Sequence, residues 1–205
     1  MTDANPVILA GLIEAWCRQD PDKQILTFVE IGPQGDFLEE TRSYREIWEN
    51  GQRLAAWLRA QGMNKGEMFG VIMQNHPEFV DLMVASSILG TVFVPIDPRT
   101  RGDKLRYMLE FAECKGAFVG AYALAEVDAS WGAREGRWLA PLGEAGENHP
   151  RMEDILAAAP PETELAIASA DPDEPMQILY TAGTTGDPKA ILSSHGRYAI
   201  SSTLP

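Results

Sequence analysis

Cysteine is nearly absent from this chain. The 205 residues include two, Cys17 and Cys114, far apart and in different apolar contexts, so neither a disulfide framework nor a cysteine-based metal site can be built from them. The three histidines, His76, His149 and His195, show no ligand spacing with one another. Positive charge is scarce too, with 17 Lys plus Arg against 30 Asp plus Glu and a formal net charge of -13. That balance disfavours nucleic-acid binding, which needs clustered Lys and Arg to neutralise phosphates. A polyanion could be held here only by a local device. The N-terminal stretch lacks the basic n-region of a secretory signal, which makes a reducing, cytoplasmic compartment the expectation. No internal repeat and no low-complexity block occurs.

A hydrophobic content of 45% with 23% charged residues, and 18 Gly and 14 Pro spread along the chain, is the profile of a globular protein with room for a real core. The most apolar run, Phe79 to Ile96, is 18 residues long, close to the length of a membrane span. Asp81 inside it and Gly90 dividing it argue against a span. Before Gly90 the apolar residues follow helical spacing, and after it TVFVPI is short and β-branched, so the run is expected to be helix, glycine, strand.

That unit recurs. Asn5 to Gln19 is expected as a helix, followed by strands at Gln24 to Ile31 and Phe37 to Thr41 around a Gly-Pro-Gln-Gly-Asp turn. Ser43 and Glu46 have capping-box spacing, opening a helix that places Ile47, Leu54, Ala55 and Leu58 on one face and stops at Gly62. Met68 to Met73 is apolar throughout, as in a strand covered on both sides. Asn75 is expected to cap the next helix, with Pro77 early in it. Gly102-Asp103 opens a helix with Leu105, Met108, Leu109 and Ala112 as its buried stripe, and Gly116 to Gly120 is a further strand. Alternating strands and helices predict an α/β fold with a largely parallel sheet and flanking helices. Residues 121 to 175 are expected to be less regular, with Pro141 to Pro150 and Ala159 to Pro175 as surface connections and one short helix from Arg151 to Ala159 between them.

The chemistry is concentrated in Met176 to Ser194. A strand, MQILY, runs into Thr181, Ala182, Gly183, Thr184, Thr185, Gly186, Asp187, Pro188 and Lys189, and the apolar stretch AILSS follows. Gly183 and Gly186 let the backbone turn successive N–H groups inward as a nest for phosphate oxygens. The threonines add hydroxyl donors and Lys189 a positive charge. It is not a Walker A loop, since Gly186 is not followed by Lys-Ser/Thr opening a helix. Composition alone leaves a plain loop open.

The string YTAGTTGDPKA resembles the signature loop of the adenylate-forming (AMP-binding) superfamily, which includes acyl-CoA synthetases and nonribosomal peptide adenylation domains. Asn75 to Phe79, Leu89-Gly90, Val94 to Arg99 and Leu105 to Leu109 resemble that family's N-terminal segments, in the same order. The resemblance implies the N-terminal part of the family's large domain, with residues 1–170 as an α/β subdomain and 171–205 as the phosphate-loop segment and the start of the next helix. It implies a ligase that joins a carboxylic acid to AMP, using ATP and magnesium, and then passes the acyl group to CoA. Thr181, Ala182, Gly183, Thr184, Thr185, Gly186 and Lys189 would hold the ATP phosphates. Two departures stand out, Ala182 where Ser is usual and Ala190 where Gly usually follows the Lys.

Complete members are much longer than this chain, so the resemblance implies that the rest of the large domain and a C-terminal lid domain are absent. No catalytic residue is expected within these 205 residues, and the isolated chain is expected to be inactive. The Gly-Thr-Thr-Gly form and Asp97-Pro98-Arg99-Thr100 favour a CoA ligase. An amino-acid adenylation domain, and a non-catalytic assembly fragment whose uncovered edges favour a homo-oligomer, stay open. His195 is expected to be structural, near a helix start capped by Ser194, and His76 and His149 to be solvated. Asp171, Asp173 and Glu174 are expected in a solvated turn, and Trp16, Trp48 and Trp57 at the core or its boundary.

Overall fold

The computed structural model describes residues 7–132, 136–144, 148–181 and 187–203, with residues 201–203 described by backbone alone. Helix α1 spans Leu9–Gln19, β1 Gln24–Ile31 and β2 Phe37–Ser43. These two strands form a separate antiparallel ribbon. Helix α2 (Tyr44–Ala60) starts on the expected capping box, with the Ser43 hydroxyl accepting from the Glu46 N–H and the Glu46 carboxylate accepting from the Ser43 N–H. Those bonds hold the Glu46 carboxyl below its usual pKa.

Strand β3 (Met68–Ile72), α3 (Pro77–Leu89), β4 (Val92–Pro95), α4 (Gly102–Phe111) and β5 (Gly116–Gly120) follow as predicted in type. The cap of α3 is a correction. His76, not Asn75, is the N-cap, and no side chain caps it. At the other end Gly90 adopts the left-handed conformation, φ 73°, which only glycine enters at little cost. That turns TVFVPI out of the helix, as the composition of 79–96 required. Among the described residues no helix is long and apolar enough to cross a membrane.

The larger correction concerns residues 121–175. They contain helix α5 (Ala121–Trp131) and strand β6 (Trp138–Leu142) before the expected short helix α6 (Met152–Ala157). The strand was hidden by Pro141, which argues against a central strand. β6 lies at the sheet edge, paired only with β5, where a missing N–H is tolerated. Strands β7 (Pro175–Thr181) and β8 (Lys189–Ser194) and helix α7 (His195–Thr203) complete the described chain.

The main sheet has the order β6-β5-β3-β4-β7-β8. All neighbours are parallel except β7 and β8. After β3 the chain moves to β4, and after β4 it reverses across β3 to β5. Right-handed crossovers therefore put α3 on one face and α4 and α5 on the other. The cores agree. Residues of α1, α2, α3 and α6 pack with Phe69, Phe93 and Phe118 on one face, whereas α4 and α5 cover Ile72, Val94 and Val119 on the other. Trp138 lies directly over Gly116, where a Cβ would come within 2.1 Å of its ring, and stacks edge-on to Phe118 and Trp57 at 5.2 and 4.9 Å.

One charge is enclosed in this packing. Asp81 of α3 is fully buried against α2; its Oδ2 accepts from Asn50 Nδ2 at 3.0 Å, while Oδ1 has no partner among the described residues. Burial pushes its carboxyl up to about 7, against the opposing effects of Asn50 and Arg42. Arg42 itself bridges Glu40 at 2.5 Å and Glu78 at 3.3 Å, tying the ribbon to α3.

Two outcomes follow from these contacts. Ser43→Ala lowers unfolding free energy by about 1 kcal/mol in denaturant titrations. Between pH 3.8 and about 7 the folded chain keeps a proton on Asp81 that the unfolded chain has released, so this group makes the fold less stable as pH rises through that window, by on the order of 4 kcal/mol in full. Asp81→Asn removes that slope and is more stable than the parent at pH 8, as read by unfolding at several pH values.

Candidate functional site

In open α/β sheets ligands sit outside the carboxyl ends of the strands, where connections depart to opposite faces. Here the chain leaves β3 toward α3 and β4 toward α4, on opposite sides. β7 flanks β4 on the side away from β3, so its carboxyl end borders that crevice. Thr181 is the last residue of β7 and Lys189 the first of β8. They face each other in register, and the Thr181 hydroxyl donates to the Lys189 carbonyl at 3.4 Å. This pair closes the hairpin whose tip carries the Gly- and Thr-rich string.

Of the seven residues assigned to phosphate, Thr181 and Lys189 are thus brought together, both exposed. Ala182, Gly183, Thr184, Thr185 and Gly186 lie outside the described residues. Pro188 is buried beside Lys189, which seats the returning strand. No carboxylate of the described residues pairs with Lys189.

Other groups line the same edge. At the end of β4, Asp97 accepts from its neighbour Arg99 at 2.6 Å, and hydrogen bonds from Arg99 hold its carboxyl down at about 2. At the end of β3, His76 lies between Phe28 and Tyr122, with ring centroids 6.0 and 6.3 Å away. The expectation of a solvated loop histidine is corrected there. Its neighbours come from β1 and α5, which only the tertiary structure brings to it. The Tyr122 hydroxyl in turn accepts the Gln74 N–H.

The base of the hairpin is equally well tied. The turn at Asp171 to Glu174 behaves as expected, and the His195 and Gly196 N–H groups donate to the Glu174 and Pro172 carbonyls at 3.1 and 2.7 Å. Lys65 reaches across to Glu174 Oε1 and the Ala168 carbonyl, both at 2.7 Å. Ser194 accepts from the Arg197 N–H at 3.4 Å, the expected cap of α7. His195 is 1% exposed, and neither ring nitrogen has a partner among the described residues. Burial keeps its pKa below the ordinary value, with Glu174 opposing and Lys65 reinforcing the shift.

Two features of β7, one at its base and one close to its end, had no sequence signal beyond the strand itself. The β7–β8 register shifts between Pro175 and Gln177, and the Tyr180 hydroxyl donates to the Met108 carbonyl of α4 at 2.6 Å.

A largely parallel, two-sided sheet with a Thr/Lys-closed hairpin at its carboxyl edge defines an open α/β protein. The profile of the AMP-binding enzyme family matches residues 13–204, and the chain belongs to that family. It is 31% identical over 178 residues to the medium/long-chain-fatty-acid–CoA ligase FadD17 of Mycobacterium tuberculosis, an alignment covering 86% of this chain and 33% of the ligase. It is 28% identical over 159 residues to tyrocidine synthase 2 of Brevibacillus parabrevis, covering 78% of this chain and 4% of that protein. The fold matches the anthranilate CoA ligase AuaEII in complex with anthranoyl-AMP with TM-score 0.81 at 20% identity, over 95% of this chain and 36% of that one. The chain therefore spans about a third or less of the length of these relatives.

Below pH 6.5 the unfolded chain takes up a proton at position 195 that the folded chain resists, so acidification through that value costs stability. His195→Leu is expected to flatten the acid limb between pH 5 and 7 in unfolding measurements while leaving neutral-pH stability close to the parent's, because an apolar isostere leaves no polar group unpaired.

Proposed function

We propose that this chain supplies the phosphate-binding hairpin of an ATP-dependent acid–thiol ligase. Residues 1–170 act as the α/β subdomain and 171–205 as the phosphate-loop segment. The observation that carries the reading is the register pair Thr181–Lys189, which closes the hairpin at the carboxyl edge of the sheet. Thr181, Thr184 and Thr185 donate to phosphate oxygens, Gly183 and Gly186 let the backbone approach, Ala182 contributes its N–H, and the Lys189 ammonium offsets charge.

The reaction in this reading begins with attack of a substrate carboxylate on the α-phosphate of ATP, forming the acyl-adenylate and releasing pyrophosphate. A carboxylate is a poor acyl donor because its carbonyl is electron-rich, and AMP is a good leaving group. The CoA thiol then takes the acyl group and AMP departs. Positioning and charge neutralisation carry most of such a transfer. Among the described residues no group of three His, Cys, Asp or Glu is gathered for a metal ion. Magnesium would accompany the ATP phosphates and offset their charge in this reading.

The similarity to the mycobacterial ligase over 86% of the chain and the Gly-Thr-Thr-Gly form support an acyl-CoA product. The similarity to tyrocidine synthase 2 favours amino-acid adenylation as the second reading. ATP–pyrophosphate exchange by the complete enzyme that contains this chain, with fatty, aromatic and amino acids, separates them, since exchange with amino acids alone removes the first. For the hairpin itself, Lys189→Ala and Gly183→Val are each expected to weaken MgATP binding about tenfold or more, the loss of a charge-assisted contact. Unchanged affinity in both variants removes the loop from the phosphate site.

A further inference from the structure

The hairpin is anchored to the rest of the sheet through few ladder contacts. β4 is four residues long and ends at Pro95, and its recorded pairing with β7 is Phe93 with Gln177. From Ile178 to Thr181, β7 has β8 as its ladder partner among the described residues. An isolated two-stranded arm is marginally stable in water, so this arm needs a further hold close to its tip.

The register shift in β7 provides one. Met176 is the extra residue between Pro175 and Gln177, and it packs into the layer of α1, α2 and α3. Strict alternation would send residues 178 and 180 to the same side. Instead, Ile178 and Tyr180 pack into the opposite layer, against α4 and α5. Bulges of this kind re-aim side chains next to functional sites. Here the result is the 2.6 Å bond from the Tyr180 hydroxyl to the Met108 carbonyl. Met108 belongs to a rigid helix face, being 5% exposed between Leu105 and Leu109, both fully buried.

From this geometry we infer that Tyr180 is a positioning residue for the phosphate hairpin, holding the end of β7 at Thr181 against α4 through the Met108 carbonyl. The inference rests on the phosphate reading given above. It assigns the role to one hydroxyl, one residue before the loop, which touches no phosphate itself. Burial raises the pKa of that phenol, so it stays a proton donor throughout the physiological range. The Met108 carbonyl also accepts the Ala112 N–H at 3.2 Å and is not orphaned when the hydroxyl is removed.

Tyr180→Phe tests this, because the ring and its packing stay. Two measurements on the 205-residue chain are compared with the parent and with Leu54→Ala, a destabilising control in the opposite layer. The first is amide hydrogen exchange without nucleotide, followed at Thr181 and at residues 189–191. The second is MgATP affinity. Tyr180→Phe is expected to speed exchange at the tip and to weaken MgATP two- to tenfold, the range of one net hydrogen bond, whereas Leu54→Ala lowers the melting temperature more and leaves affinity unchanged. Parental tip exchange and affinity in Tyr180→Phe overturn the inference, and a loss of affinity in Lys189→Ala alongside them leaves the phosphate reading standing. If Lys189→Ala binds as the parent does, the phosphate reading falls and this inference with it.

Discussion

Burial of the parallel sheet on both faces is the constraint on which the rest depends. β3, β4 and β5 have no solvent side, so each residue must satisfy one layer or the other, and the strands read as unbroken apolar runs. The layers differ in kind. One is aromatic, built on Trp57, Phe69, Phe118 and Trp138, and it tolerates Trp138 only because Gly116 has no side chain beneath it. The other is mainly aliphatic, with Leu105, Leu109, Val119 and Val127 fully buried.

Covering both faces forces the connections after β3 and β4 apart, and the crevice that results is the natural place for a ligand. The β7–β8 hairpin stands beside it. Thr181 and Lys189 meet there across two strands, and no carboxylate of the described residues pairs with the lysine. Asp97 at the same edge is occupied by Arg99, which keeps that carboxylate from acting as a free repulsive charge.

Two buried titratable groups give the fold opposite pH responses. Asp81 sits between α2 and α3 where water is excluded and one oxygen is unpaired, so the fold prefers its neutral form. His195 is the first residue of α7, buried beside the turn that carries Glu174, and the fold prefers its neutral form too. Neutral means protonated for the carboxyl and deprotonated for the imidazole, hence the opposite signs. Neither group was legible as buried in the sequence. Asp81 looked like a charge interrupting an apolar run, and it is the packing of Asn50 and Arg42 around it that explains its place.

Local chemistry determined most elements by itself. The Ser43–Glu46 box, the Gly90 stop, the 3.6-residue stripe of α4 and the apolar β3 act over a few residues, so their signals are complete in the sequence. The order of residues from Tyr180 to Ala190, with the segments from Asn75 to Leu109, was enough to indicate the family to which the chain belongs. Only the tertiary structure decided the strand order, the edge position that lets β6 keep Pro141, and the stack of His76 between Phe28 and Tyr122. It alone decided that Tyr180 turns toward Met108. Those outcomes depend on partners far apart in the chain and on a one-residue bulge, and side-chain alternation reverses with a single residue of register.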